Sequence, residues 1–279
     1  IVLLRSVIGI AIIIVLLLAS SGGLKTLKTK RLTRHLVRGG CVVLANMLFF
    51  LGLVAMPLAD AVALFFISPS IITLFSIIFL KEYVGPHRWF AIGLGFAGVL
   101  IMVQPGSSEF MLASLLPIGA AFCYASLHTL TRTMRNTESA ATMTFYIQMA
   151  FVIVSTTMWI SVGDGRFNDA SSPSLNFLLR PWEPWQYDDI KLFILLGVGT
   201  AAGGYLISQA YRQAESALAA PFEYIALPLA MFWGVVIFDE WPDQITLIGS
   251  SFILVSGLYT LYRETLHPRK PQMARSHPR

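Results

Sequence analysis

Charge is what this chain has least of: Asp, Glu, Lys and Arg make up only 13% of its 279 residues, about half the share of an ordinary soluble domain. That excludes an ordinary soluble enzyme. Cysteine is nearly absent too. Cys41 and Cys123, both inside apolar runs, offer no metal spacing and no disulfide framework. No G-x-x-x-x-G-K-[ST] phosphate loop is present, so the chain has no means of its own to couple ATP hydrolysis to work. H-E-x-x-H, G-x-S-x-G and calcium-loop spacings are missing as well. The expectation is therefore no metal, no cofactor and no enzymatic chemistry.

What the chain has is apolar length. Hydrophobic residues are 56% of it and the mean hydropathy is +0.69. They fall in blocks of about 20, long enough to cross a hydrocarbon core of about 30 Å as helices. Windows of about 19 residues predict nine spans, near 4–21, 38–56, 60–80, 88–104, 110–131, 140–162, 190–210, 216–238 and 245–263. The fold class is thus an all-α, multi-pass integral membrane protein. The long apolar stretch at 38–80 is cut by the turn chemistry of Pro57–Leu58–Ala59–Asp60.

Orientation follows from the basic residues. Lys25, Lys28, Lys30, Arg31, Arg34 and Arg38 crowd the first connection, which marks it as cytoplasmic. Alternation from there places sixteen of the twenty Lys and Arg inside; Arg5, Arg166, Arg180 and Lys191 are the others. The C-terminus is then cytoplasmic, with 267–279 a basic tail. Basic residues beside helix ends anchor orientation and meet anionic lipid, so the net charge of +5 does not point to nucleic acid. Residues 1–21 end in Ala19–Ser20–Ser21 like a signal peptide, but cleavage there would carry the basic loop outward, against the charge bias. The run reads as a span, and one further span ahead of it would give ten, with both ends inside.

The third and fourth spans match the eighth and ninth. Ala59–Asp60–Ala61 corresponds to Ala217–Leu218–Ala219, and Lys81–Glu82–Tyr83 to Asp239–Glu240–Trp241, both 158 positions on. Pro69 and Pro228, and Gly98 and Gly257, stand 159 apart, so the alignment needs a one-residue slip. Five spans per copy is an odd number, which inverts the second copy in the membrane. Inverted repeats around a midplane site are the construction of secondary transporters.

The residues Leu3–Leu4–Arg5–Ser6–Val7–Ile8–Gly9, Met56–Pro57–Leu58–Ala59–Asp60–Ala61, Leu80–Lys81–Glu82, Gly95–Phe96–Ala97–Gly98–Val99, Gln104–Pro105–Gly106 and Ala220–Pro221–Phe222–Glu223–Tyr224 resemble the EamA family of the drug/metabolite transporter superfamily. The resemblance runs over almost the whole chain. It implies two EamA repeats, 1–106 (lacking its first helix) and 107–266, in a ten-helix carrier of small organic solutes in the bacterial inner membrane. The implied cargo spans amino acids, nucleobases, vitamins and S-adenosylmethionine. The run Ala210–Tyr211–Arg212–Gln213–Ala214 is similar to members near the S-adenosylmethionine carriers.

Glu223 is the most informative single residue, the one carboxylate about two turns inside an apolar span, where an acid costs a few kcal/mol unless it faces protein or water. It reads either as a proton-coupling group or partner of a cationic amine, or as a near-interface acid paired with Arg212. Its flanks, Pro221 and Pro228, can open backbone carbonyls and widen the helix locally, as discontinuous transporter helices do; Tyr224 follows it, and Phe65 is its counterpart 158 positions earlier. Phe49, Phe65, Phe66 and Trp233 offer faces for a planar solute; lipid-facing rings are the alternative. Tyr124 and His128 are four apart and share a helix face. Asn46, Gln148 with Tyr146, and Gln209 with Tyr205 must find partners where water is absent. Arg5 either snorkels to the surface or holds a carboxylate. Trp159, Trp182, Trp185 and Trp241 read as interfacial anchors.

The expected function is a secondary transporter working by alternating access on a small organic solute, with membrane lipid around it and protons as the coupling ion. Two alternatives stand beside it: an intramembrane enzyme, which would need carboxylates or histidines clustered at one depth, and a truncated membrane protein that does not transport.

Overall fold

The computed structural model describes residues 1–19, 23–82, 85–105, 111–168, 173–184, 186–187 and 189–266. Ser20, Ser21, Tyr83, Gly106, Trp185 and the basic tail 267–279, all used in the sequence reading, lie outside these residues. Within them the elements are α1 (Val2–Ala19), α2 (Leu32–Ala55), α3 (Leu58–Phe65), α4 (Ser68–Leu80), α5 (Pro86–Val103), α6 (Leu115–Thr133), α7 (Ala140–Val162), α8 (Pro173–Leu179), α9 (Asp189–Gln213), α10 (Ser216–Ala219), the 3-10 turn Ala220–Ile225, α11 (Ala226–Phe238) and α12 (Gln244–Leu266). No strand occurs among the described residues. Among the described residues nine spans are long and apolar enough to cross a membrane, as the sequence predicts. A helix satisfies its own backbone, which hydrocarbon demands.

Two spans expected as single helices are broken. Phe66 closes α3, its N–H turning back to the Val62 and Ala63 carbonyls at 3.0 and 3.2 Å. Then α4 restarts with Pro69 in its first turn, where a missing N–H costs nothing. In the other span Pro221 opens the 3-10 turn and Pro228 sits in the first turn of α11. The connection 163–189 contains α8, and Ser174 Oγ donates to the Leu51 carbonyl at 3.0 Å. That bond ties the connection to the end of α2.

The two broken spans agree in detail. Leu58 and Ser216, Ser68 and Ala226, Leu80 and Phe238, and Pro86 and Gln244 begin or end corresponding elements, and each pair is 158 apart. Both second halves stop at a left-handed residue, Lys81 at φ 54° and Asp239 at φ 55°. Beyond each, Glu82 N–H donates to the Ser76 carbonyl (3.0 Å) and Glu240 N–H to the Gly234 carbonyl (3.2 Å). Holding a side-chain-bearing residue there costs about 1–2 kcal/mol, offset by carbonyls that would otherwise go unpaired. One offset of 158 holds for these element ends, while Pro69 and Pro228, and Gly98 and Gly257, stay 159 apart. The prolines can stand one position off because more than one position in a first helical turn accepts a residue without an N–H.

The spans pack as two bundles. In one, α1 lies against α7 and α9, and α2 against α6 and α7. In the other, α5 lies along α12, with α3, α4, the 3-10 turn and α11 around them. Small residues set both seams, as expected where lipid gives no hydrophobic drive to associate. Gly9 meets Gln148, and Gly197 meets Ile8. Gly98 meets Gly249 so closely that a Cβ at Gly98 would fall on the Gly249 carbonyl oxygen. Backbone cannot yield there as a flexible side chain would. Gly98→Leu is accordingly expected to separate α5 from α12 and cost about 3 kcal/mol or more; a thermal melt in detergent at least about 6 °C below wild type checks this.

One end of the first bundle carries a buried polar clasp. Arg38 Nε donates to Thr131 Oγ1 (3.1 Å) and its Nη1 to the Met143 carbonyl (3.4 Å). Glu138 accepts from Thr29 Oγ1 at 2.6 Å and stands 3.4 Å from His35 Nε2. His35 stacks on Tyr146, whose hydroxyl donates to the Leu27 carbonyl. The basic connection before α2 is thereby fastened to the turn between α6 and α7.

Candidate functional site

Where the two bundles meet, their inward side chains form a run of rings ending at an acid. From α2 and α3, Phe49 and Phe65 come within 5.1 Å, centroid to centroid. Phe65 meets Phe66 at 5.9 Å and Tyr124 of α6 at 5.2 Å. Tyr124 meets His128 at 4.2 Å, and His128 meets Tyr211 of α9 at 4.1 Å. The Tyr211 hydroxyl then donates to Glu223 Oε1 at 2.6 Å, and Tyr124 brings a second phenol to that carboxylate. The run joins both bundles: Phe49, Tyr124, His128 and Tyr211 belong to one, and Phe65, Phe66 and Glu223 to the other.

Local structure explains the placement. Tyr211 continues the packed face of α9, on which Gly197, Ala201 and Ser208 are buried, so its ring enters the seam while its neighbour Arg212 points away. The 3-10 turn tightens the span at Glu223 and leaves the acid half-buried, while the next residue, Tyr224, is buried. Tyr224 OH lies 3.2 Å from Ser70 Oγ, and its ring fits only because Gly257 has no side chain. Behind it a small crevice is lined by Ser70, Thr73, Arg88, Ser256 and Thr260.

Seven of the sequence candidates are therefore brought together: Phe49, Phe65, Phe66, Tyr124, His128, Glu223 and Tyr224, the last 6.4 Å from the Phe66 ring. Arg212 does not pair with Glu223; its guanidinium donates to Gln209 Oε1 (2.8 Å) and the Arg135 carbonyl (3.0 Å). Asn46 is one turn from Phe49 but donates to the Val42 carbonyl of its own helix. Gln148 stands apart, between α1 and α9, with Thr200 Oγ1 at 3.5 Å. Tyr205 lies on α9 away from the ring run, and Gln209 serves Arg212. Trp233 is exposed on α11 beside Phe232. Arg5 lays its guanidinium 5.1 Å over the Phe151 ring. Among the anchors, Trp159, Trp182 and Trp241 are exposed.

Sequence reasoning missed Tyr211 and Ser70. Tyr211 had a legible signal, since it extends the small-residue stripe of α9 by three positions; Ser70 had none. It also missed an ion pair at the end of the bundle nearest the basic connection, Arg132 Nε to Glu82 Oε1 at 3.5 Å, both side chains nearly buried. Arg132 Nη1 donates further to the Arg212 carbonyl at 3.1 Å. Of the described ion pairs this one joins the two bundles. No group of three or more metal-ligating side chains occurs among the described residues.

Comparison with known proteins gives the following. The profile of the EamA-like transporter family matches residues 1–104 and 111–262. A riboflavin transporter of Rhizobium johnstonii is 29% identical over 249 residues, covering 89% of this chain and 76% of that protein. An S-adenosylmethionine uptake transporter of Rickettsia bellii is 26% identical over 242 residues, covering 87% and 77%. A crystal structure at 19% identity superposes with a TM-score of 0.68, covering 94% of this chain and 87% of its own.

Proposed function

The chain belongs to the EamA-like transporter family, a multi-pass membrane protein that moves a small organic solute, and from that premise we propose that it works as a secondary carrier, exposing the seam between its two bundles to one side of the membrane at a time. The observation that carries this is the position of Glu223. It stands in a 3-10 segment that interrupts the α-helical span, held by phenols, and none of the described ion pairs includes it. An ionisable group at that depth without a countercharge is a mark of a transport pathway.

The matching broken spans support reading 1–106 and 107–266 as two inverted five-helix EamA repeats, the first lacking one helix here. In an inverted pair, Phe65 and Glu223 lie at equal depth from opposite faces, seven residues into α3 and the α10 span. The excess of Lys and Arg at one end supports a bacterial inner-membrane protein with that end, and the C-terminal tail 267–279, in the cytoplasm beside anionic lipid. Protons are the coupling ion of this reading, with Glu223 as their acceptor. Its cargo belongs to the kind the relatives' names give, a vitamin or S-adenosylmethionine-like solute.

The test is uptake of labelled riboflavin, S-adenosylmethionine and aromatic amino acids into vesicles holding only this protein. Accumulation driven by an imposed proton gradient, without ATP, is expected for at least one solute. Rates equal to protein-free vesicles for all of them, under either direction of gradient, would sink the carrier reading.

A further inference from the structure

Away from the seam, α5 and α12 lie along one another, and the start of one span meets the end of the other. His87 is the second residue of the span Pro86–Val103, and Arg263 is the last of the span Gln244–Arg263. Both therefore stand at one membrane boundary, where headgroups replace hydrocarbon. Arg263 Nη2 lies 2.7 Å from His87 Nε2, and His87 Nδ1 lies 2.8 Å from the Tyr259 hydroxyl. The carrier reading gives this trio no task.

The order of hydrogens in the trio is fixed. Arginine has no acceptor, so Nη2 donates to Nε2, the ring hydrogen sits on Nδ1, and Nδ1 donates to the Tyr259 hydroxyl. What is left over is of one kind: the Tyr259 O–H and the other N–H groups of Arg263 are donors that no described bond uses. The described ion pairs do not include Arg263, and Glu82, the described acid nearest α5 in sequence, is committed to Arg132. Lys81, exposed five residues before Pro86, puts a second cation at this boundary. The sequence 264–279 holds one acid, Glu264, against four Lys and Arg, so this end of the chain stays positive. On the hydrocarbon side of the trio the surface is apolar: Phe90 of α5 and Val255 and Leu258 of α12 are each more than half exposed. Phe90 stands edge-on to Tyr259 at 5.8 Å, and Trp89 is exposed beside it, as interfacial rings are. Donors and chain-facing surface are thus continuous.

We infer that this boundary of α5 and α12 is a binding site for an anionic phospholipid. Arg263 and Tyr259 donate to the phosphate oxygens, His87 holds both donors in place, and the acyl chains run past Phe90 and Val255. A guanidinium meets phosphate oxygens with paired N–H groups, and basic sites between transmembrane helices at a headgroup boundary take acidic lipids. A zwitterionic lipid brings its own ammonium to a place that already holds Arg263 and Lys81, so it fits worse. A soluble phosphate lacks the chains that would cover the exposed side chains. The site is separate from Glu223 and does not depend on transport.

The experiment is native mass spectrometry of the delipidated chain in an uncharged detergent, with three probes: dioleoyl phosphatidylglycerol, dioleoyl phosphatidylcholine and glycerol phosphate. Phosphatidylglycerol is expected to bind at least about fivefold more tightly than phosphatidylcholine, the scale of one cation beside an acidic headgroup. In Arg263→Gln that preference falls below about twofold. His87→Ala, which releases the guanidinium and the phenol from their shared anchor, lowers it by at least about half, and covers the case in which the arginine variant does not fold. Lys28→Gln, which removes an exposed cation from the first connection, keeps the preference. Equal binding of the two lipids, an unchanged preference in both Arg263→Gln and His87→Ala, an equal fall in Lys28→Gln, or displacement of phosphatidylglycerol by an equal concentration of glycerol phosphate overturns the inference. Binding in detergent is read without uptake, so its failure leaves the carrier reading standing, and failure of uptake leaves this site standing.

Discussion

Glu223→Gln is expected to lower vesicle uptake at least about a hundredfold, equivalent to roughly 2.7 kcal/mol, while the protein melts close to the wild-type temperature. Glutamine has the same shape, so packing in the 3-10 turn is kept. Its amide oxygen still accepts from Tyr211, whose hydroxyl lies 2.6 Å from the carboxylate in wild type. What disappears is the charge and the proton it takes up, and a hydrogen bond to a charged group is worth about 1.5–3 kcal/mol. The pH profile separates this from a packing defect. Wild-type uptake varies as the acid titrates, whereas the glutamine variant's residual uptake is flat with pH. Normal uptake with an unchanged profile would remove Glu223 from the mechanism.

Reversing charge at the bridge between the bundles is expected to have the next largest effect. Glu82→Arg or Arg132→Glu alone places like charges where the present pair is 3.5 Å apart, with each side chain only 11–12% exposed. Solvent screens poorly there. Each single variant should lose about tenfold or more in uptake, corresponding to about 1.4 kcal/mol. The double exchange should recover part of the loss, since it restores attraction. It cannot recover all of it: glutamate at position 132 has no hydrogen to give the Arg212 carbonyl, which Arg132 now holds at 3.1 Å. A double-mutant cycle measures the coupling. If the double variant transports no better than the worse single one, attraction between these two side chains is not what closes that end.

Much of this architecture was legible before any coordinates. The nine spans, the cut at Pro57–Asp60 and the correspondence of the two halves all follow from apolar run length and turn chemistry, which act locally. Within the spans the signal weakens for a physical reason. Lipid is as apolar as a protein interior, so hydrophobicity does not tell the face of α11 that meets lipid from the face of α3 that meets the seam. Phe65 and Trp233 look equivalent in sequence; one lies in the ring run and the other is exposed. Polar residues carried more information, and Glu223, Tyr124 and His128 were found that way. Gln148 was picked out by the same logic, yet it serves a seam between α1, α7 and α9, because a buried amide signals a partner without saying which. The break at Phe66 was hidden by continuous hydropathy on both sides of it, whereas the one at Glu223 was signalled by its flanking prolines, Pro221 and Pro228. The apparent pairing of Glu223 with Arg212 failed because neighbours in sequence on either side of a helical turn need not face one another, and Arg212 caps backbone and Gln209 instead.

The outward placement of the indoles has an optical consequence. Trp89, Trp159, Trp182, Trp233 and Trp241 are all exposed, and none takes part in the ring run that joins Phe49 to Tyr211. Emission from these five described indoles therefore reports chiefly on lipid and solvent: brominated acyl chains would dim it, while a solute settling beside Glu223 would barely alter it. A fluorescent readout of occupancy has to be built in, and Phe65→Trp is the place for it, a ring already in the seam on the side where lipid does not reach.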